Sequence, residues 1–191
     1  MDTALLDRLF QLLDLLLIFD LYEAVGELLH AKLRPLTQQE THLLETIFGD
    51  SLPYTVIRID ERAWMGPRRY RFCYASFHTI NSWGPLSEAT LVHEAVHVWQ
   101  YVHHGACYIP RALAAQHSVR GYDYGGLRGL SAAATLADFN YEQMADVVED
   151  AFRLRAGLTP KWTLRYRSEL WPHYVRLTEQ LLITLPSPYG Y

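Results

Sequence analysis

The chain has 191 residues, half of them hydrophobic and 13% aromatic, which is enough for one packed domain. A formal net charge of −4 and a pI near 6.1 exclude a basic nucleic-acid-binding surface. Two cysteines, Cys73 and Cys107, are too few for a disulfide framework and match no CxxC pattern. They read as small, partly buried residues; one of them acting as a fourth metal ligand that keeps a site latent is the sharper alternative.

The amino terminus carries Asp2, Asp7 and Asp14 in place of a basic leader. Its apolar run, Leu15 to Phe19, is closed by Asp14 and Asp20 and is too short to insert into a membrane. A cytoplasmic start is expected, with any export by a specialised secretion system. Residues 3–31 read as one long helix: Asp7, Gln11 and Asp14 form a polar face, and Leu6, Leu9, Leu13, Leu16 and Leu17 lie opposite. So greasy a helix is expected to be covered, by the core or by a protein partner.

Pro35 ends that segment, and Thr37 to Glu40 form a capping box for a helix that stops before Gly49. Residues 54–59 alternate and are β-branched, so a strand is expected there, followed by strands over 70–74 and 78–80. Between them, Arg68, Arg69 and Arg71 read as a solvated turn. Ser87 and Gly105 bracket a helix with Val92, Ala95, Val96 and Trp99 on its buried face. A short helix to about His117 follows, then an irregular, tyrosine-bearing loop over 121–126. Phe139 to Arg155 forms a strong helix closed by Gly157, and a last helix over 161–183 is broken near Pro172. The division expected is a helical segment over 1–34, a central domain over 35–157, and a helix with an irregular tail over 158–191.

The helix between Ser87 and Gly105 holds His93-Glu94-Ala95-Val96-His97, an HExxH pattern. Residues four apart share a helix face, so His93 and His97 can close on one metal ion while Glu94 leans into the same space. Shuffling this composition would produce the pattern about 2% of the time, so the motif needs its context. A hydrolytic zinc site needs a third protein ligand. His103 and His104 continue the same helix and turn away, which makes them a polar helix end near the C-terminal dipole. Glu142 and Asp146 stand four apart on the later helix: Glu142 can complete the ligand set, and Asp146 can accept the free N–H of a ligand histidine. Taken alone, Glu142, Asp146, Glu149 and Asp150 would read as a solvated acidic stripe.

HExxH followed by a helix bearing ExxxD resembles the gluzincin metallopeptidases, the thermolysin-like branch. Residues 35–155 further resemble small bacterial zincin-like proteins found near or fused to secretion systems and polymorphic toxins. The stretches that carry this likeness are Leu36-Thr37 through Asp50, His93 to Gln100, and Phe139 to Gln143. The resemblance implies an α+β fold: a mostly helical zincin-like domain with a small mixed sheet. It implies Zn2+ held by His93, His97 and Glu142, with Glu94 as general base and Asp146 orienting a histidine. It also implies a peptide or protein substrate, paired along the strand near 70–76 or 78–80. For the oxyanion stabiliser, Tyr124 and Tyr122 rank first, because their glycine-flanked loop can reach over a cleft; Tyr141 and His117 come next. Two other readings stay open: a catalytically silent zincin-like interaction protein, and a zinc hydrolase of a cell-wall amide.

Overall fold

A computed structural model describes residues 3–16, 33–63, 72–163 and 167–182. The expected continuation of the first helix over 17–31, the arginine cluster and residues 70–71 of the second expected strand lie outside the described residues, as does the end of the tail. The architecture is mostly helical α+β. The helices are α1 (Thr3–Leu15), α2 (Gln38–Phe48), α3 (Glu88–His104), α4 (Tyr108–Gln116), α5 (Gly126–Ala132), α6 (Tyr141–Arg155) and α7 (Arg167–Thr178). Short 3-10 turns occur at Leu136–Asp138 and Glu179–Leu182. Four short strands, β1 (Arg34–Pro35), β2 (Arg58–Asp60), β3 (Tyr74–Ser76) and β4 (Thr79–Asn81), form one mixed sheet in the order β1-β2-β4-β3.

Local chemistry sets most helix ends. Thr37 and Glu40 form the expected capping box, each accepting a backbone N–H of the other, and α2 stops at Gly49. Ser87 accepts the N–H of Thr90, and α3 ends at Gly105 with φ 71. Asn140 accepts the N–H groups of Glu142 and Gln143 at 3.0 and 2.8 Å, which opens α6 immediately before its chemical face. The last helix begins later than expected, at Arg167, with Lys161 and Trp162 in an irregular connection; Pro172 lies inside it.

The sheet is shorter than the alternation of residues predicts. Residues 54–56 form a turn, closed by Val56 N–H on Pro53 O and by the Tyr54 hydroxyl on Gly49 O, so β2 begins only at Arg58. β2 and β4 run parallel with Ile59 opposite Ile80, both fully buried. β3 and β4 make a tight hairpin whose turn holds Phe77 at φ 56, a strained region for a residue with a large side chain. Burial of Phe77 against Tyr101 sustains it, together with the Tyr108 hydroxyl, which accepts Phe77 N–H and donates to Ala75 O.

α3 is the centre of the packing. It lies against α6, α4, α2 and the sheet, and every residue from Leu91 to Tyr101 is buried, so it is enclosed on all sides rather than on one face. α1 packs on the protein beside α4, with Phe10 against the cluster of Phe77, Tyr101 and Tyr108. Its acidic side faces the protein: Asp7 pairs with Arg111 at 3.0 Å, and Asp14 accepts Ala106 N–H at 2.6 Å. A guanidinium and one backbone amide ahead of α4 give those carboxylates partners. Leu5, Leu9, Leu12 and Leu16 remain exposed.

Replacing Asn140 by Ala removes the acceptor for two α6 amides and the Asn140 Nδ2 bond to Gly121 O. The expected loss is about 1 kcal/mol in urea denaturation, typical of a deleted N-cap; an unchanged midpoint would show that α6 does not depend on this cap.

Candidate metal centre

α3 and α6 bring the two sequence motifs together. His93 Nε2 lies 3.6 Å and His97 Nε2 3.4 Å from Glu142 Oε2. The three ligand atoms fall within 4.8 Å of one another and all three residues are buried, so the group can hold one metal ion. Glu94 is 4% exposed, and its Oε2 has no hydrogen-bond partner. His93, Glu94, His97 and Glu142 line a cleft of about 510 Å³, with Phe72 to Ala75 and residues of α4 as other parts of its wall.

Each ligand has a support. His97 Nδ1 is 2.8 Å from Gln100 Oε1, and Gln100 is fixed in turn by donating to Tyr141 O at 2.9 Å. Gln116 donates to Glu142 Oε1 at 2.8 Å and leaves Oε2 toward the histidines. On the far side of His93, Nδ1 lies 2.9 Å from Asp146 Oδ1 and 3.2 Å from Glu149 Oε2. Neither oxygen is well aligned with the N–H axis, so the two act as an anionic wall more than as one directed acceptor. Asp146 therefore lies beside His93 without making the directed hydrogen bond expected of it. Glu149, Gln100 and Gln116 were not anticipated. Gln100, three residues after His97 on the same helix, carried a readable signal; Gln116 carried none.

The electrostatics are those of buried imidazoles packed against several carboxylates. Burial opposes the charge on His93, but the carboxylates of Asp146, Glu142 and Glu149 overcome it and hold its pKa well above the imidazole range. His97 is raised in the same way, burial being outweighed by Glu142. Burial would raise Glu142 too, yet the two histidines hold it well below the carboxylate range. For Glu149, burial is outweighed by His93 and Lys161, which hold it at about 2. Glu94 goes up, because burial exceeds the help it receives from the histidines.

Tyr124 is not at the site. It is 2% exposed, and its hydroxyl donates to Asp150 Oδ2 at 2.7 Å and meets the Tyr174 hydroxyl at 2.5 Å. The loop turns it inward: Gly125 and Gly126 both have positive φ, and a Cβ on Gly129 would fall 1.8 Å from the Tyr124 carbonyl oxygen. Tyr122 faces the cleft instead, with its ring 6.2 Å from that of His93. Burial and the Glu142 charge push its hydroxyl pKa up, so it remains a proton donor. Tyr141 is held by Arg111 and His104, and His117 bonds Leu113 O; neither lines the cleft. His103 is buried and stacked on Trp99 at 4.1 Å, while His104 meets Tyr141, so both are set apart from the metal group as their spacing predicts. Cys73 lines the cleft but is not among the grouped ligands, and burial beside Glu94 raises its thiol to about 11.

No protein-family model matches this chain, and no solved structure matches it. It is similar to the type VI secretion system spike protein VgrG2b of Pseudomonas aeruginosa, at 30% identity over 132 residues. The likeness covers 62% of this chain but only 13% of that protein's length.

In the metal-free protein, His93 and His97 have folded pKa values above the unfolded value of about 6.5. Their stabilisation is complete below that value and is lost as pH rises through the folded pKa values. Glu142 and Glu149, held low, contribute above about pH 4.5 and fail only in stronger acid. In chelator, melting temperature should therefore fall as pH rises above about 6.5, and His93→Ala/His97→Ala should flatten the decline. A metal-free melting temperature that rises over this range would contradict the described charge arrangement.

Proposed function

We propose that this chain is a zinc metallopeptidase with a gluzincin-type, zincin-like centre. One observation carries the reading: the ligand atoms of His93, His97 and Glu142 converge beside a buried Glu94 carboxylate oxygen that has no partner of its own. The donor set of two imidazoles and one carboxylate suits zinc. The separations of 3.6 and 3.4 Å are close to the roughly 3.3 Å between ligands around a tetrahedral ion with bonds of about 2.0–2.1 Å. The partnerless Glu94 oxygen is positioned to accept a hydrogen bond from a water in the cleft.

A zinc ion on these three residues would acidify a water and polarise the scissile carbonyl. Glu94, with its buried partnerless Oε2, would be the group that holds the proton of a water in the cleft and passes it to the leaving amine. Tyr122 donates its hydroxyl to the carbonyl oxygen as negative charge develops there. An extended substrate backbone pairs with β3, which is the outer strand of the sheet and lies on the cleft wall. Tyr108 already occupies Ala75 O and Phe77 N–H, so this pairing runs along Phe72 to Ala75 and stops at the hairpin turn.

The likeness to a type VI secretion spike protein supports export of the activity by such a system, toward a protein or peptide outside the producing cell. Among the described residues no helix is long and apolar enough to cross a membrane.

The test is zinc-loaded protein against a peptide library read by mass spectrometry. Glu94→Gln should keep the metal and lose about 10²–10⁴-fold in rate. Tyr122→Phe should lose about 10²–10³-fold, mainly in kcat, whereas Tyr124→Phe should leave kcat unchanged. If wild type and Glu94→Gln bind zinc equally and neither cleaves, the protein is a zincin-like binding module. Release of fragments from cell-wall material, with peptides left intact, would make it an amide hydrolase of another class.

A further inference from the structure

Behind His93 lies a second set of ligand-type atoms. His93, Asp146 and Glu149 also offer atoms within 4.8 Å of one another, and all three are buried. A divalent ion there would compete for the nitrogen of His93 that does not face Glu142. The pocket contains a cation supplied by the chain itself: Lys161 Nζ stands 2.5 Å from Glu149 Oε2 and 3.1 Å from Asp146 Oδ1.

The ammonium is held in place from several directions. Lys161 N–H donates to Asp150 Oδ1 at 2.5 Å and Trp162 N–H to Asp150 Oδ2 at 3.1 Å, which ties the connection after α6 back onto that helix. The Trp162 indole donates to Asp146 Oδ2 at 2.5 Å. Arg153 takes the other oxygen of Glu149 at 2.8 Å. With those two oxygens engaged, Asp146 Oδ1 and Glu149 Oε2 are left facing His93 Nδ1 and the ammonium. Fifteen of the chain's seventeen basic residues are arginine, yet a lysine stands here. A compact ammonium fits between two carboxylates from different turns, where a planar guanidinium fork would favour one of them.

Resting on the zinc reading above, we propose that Lys161 is a positioning residue that takes the place of a second metal ion on the Nδ1 side of His93, so that the centre holds one ion and His93 offers it only Nε2. The lysine side chain is 39% exposed, so its loss would open the pocket to ions from solvent.

The experiment is equilibrium dialysis of the full chain against Zn2+, with the visible spectrum of the Co2+ form as a second readout. Wild type should take one ion per chain. Lys161→Ala, and Lys161→Gln as a variant of similar size, should take a second, weaker ion and add a new Co2+ band. Adding Glu149→Gln to either should return the count to one, because it removes a ligand and the excess charge together. A purely structural role for Lys161 predicts no second ion and no rescue by Glu149→Gln. The proposal is overturned if both lysine variants keep one ion and the wild-type spectrum. Should wild type itself take no ion, the fault lies in the metal centre and not in the role of Lys161.

Discussion

Burying four carboxylates on one helix is the constraint around which this protein is arranged. Glu142, Asp146, Glu149 and Asp150 are each at most 1% exposed. A buried carboxylate is tolerated only when it is paired and hydrogen-bonded, and removing one partner of a buried pair typically costs about 3–5 kcal/mol. That is a large share of the roughly 5–15 kcal/mol that holds a domain together. The parts of the chain that meet this face of α6 are accordingly the ones with something to donate. The histidines of α3 and Gln116 of α4 face Glu142; Lys161 and Trp162 face the positions beyond it; Tyr124 supplies its hydroxyl to Asp150.

Along α6 these four residues grade from chemistry to scaffolding. Glu142 points at both histidines, Asp146 and Glu149 hold the back of one of them, and Asp150 no longer touches the site. Instead Asp150 receives two backbone amides and a tyrosine hydroxyl. The same aspartate thus locks the connection after α6 and, through that connection, the lysine and indole that steady Asp146. The carboxy-terminal segment is in this sense part of the candidate centre's support, although none of its described residues lines the cleft.

The cleft wall opposite depends on a different device. Phe77 adopts a left-handed backbone that a bulky side chain resists, and the hairpin keeps it because the ring is buried and Tyr108 bonds both sides of the turn. Tyr108 also lies near His97, with ring centroids 6.5 Å apart. One residue of α4 therefore sets the end of the outer strand and packs beside a metal-ligand candidate, which couples the position of this cleft wall to that of the candidate centre.

How much of this the sequence disclosed follows from the range of the forces involved. Caps and helix ends are decided within four residues, and Thr37, Ser87 and Gly105 were legible. That His93 and His97 share a face was legible from helical periodicity, whereas Glu142 on the other helix was expected only from its place after HExxH and from the zincin resemblance. The strands were legible in place but not in extent: residues 54–56 have strand-like side chains, but a hydroxyl bond to Gly49 and a turn at Pro53 draw them off. Taken alone the acidic stripe reads as solvated, since a run of carboxylates reveals nothing about partners supplied from far along the chain, as Lys161 is to Glu149. Tyr124 failed for a related reason. Glycines around a tyrosine show that the loop can turn, not which way, and the direction is set by Asp150 and Tyr174, 26 and 50 residues downstream. Where a side chain's fate rests on a single distant polar partner, periodicity has no bearing on it, and the supports of this centre are almost all of that kind.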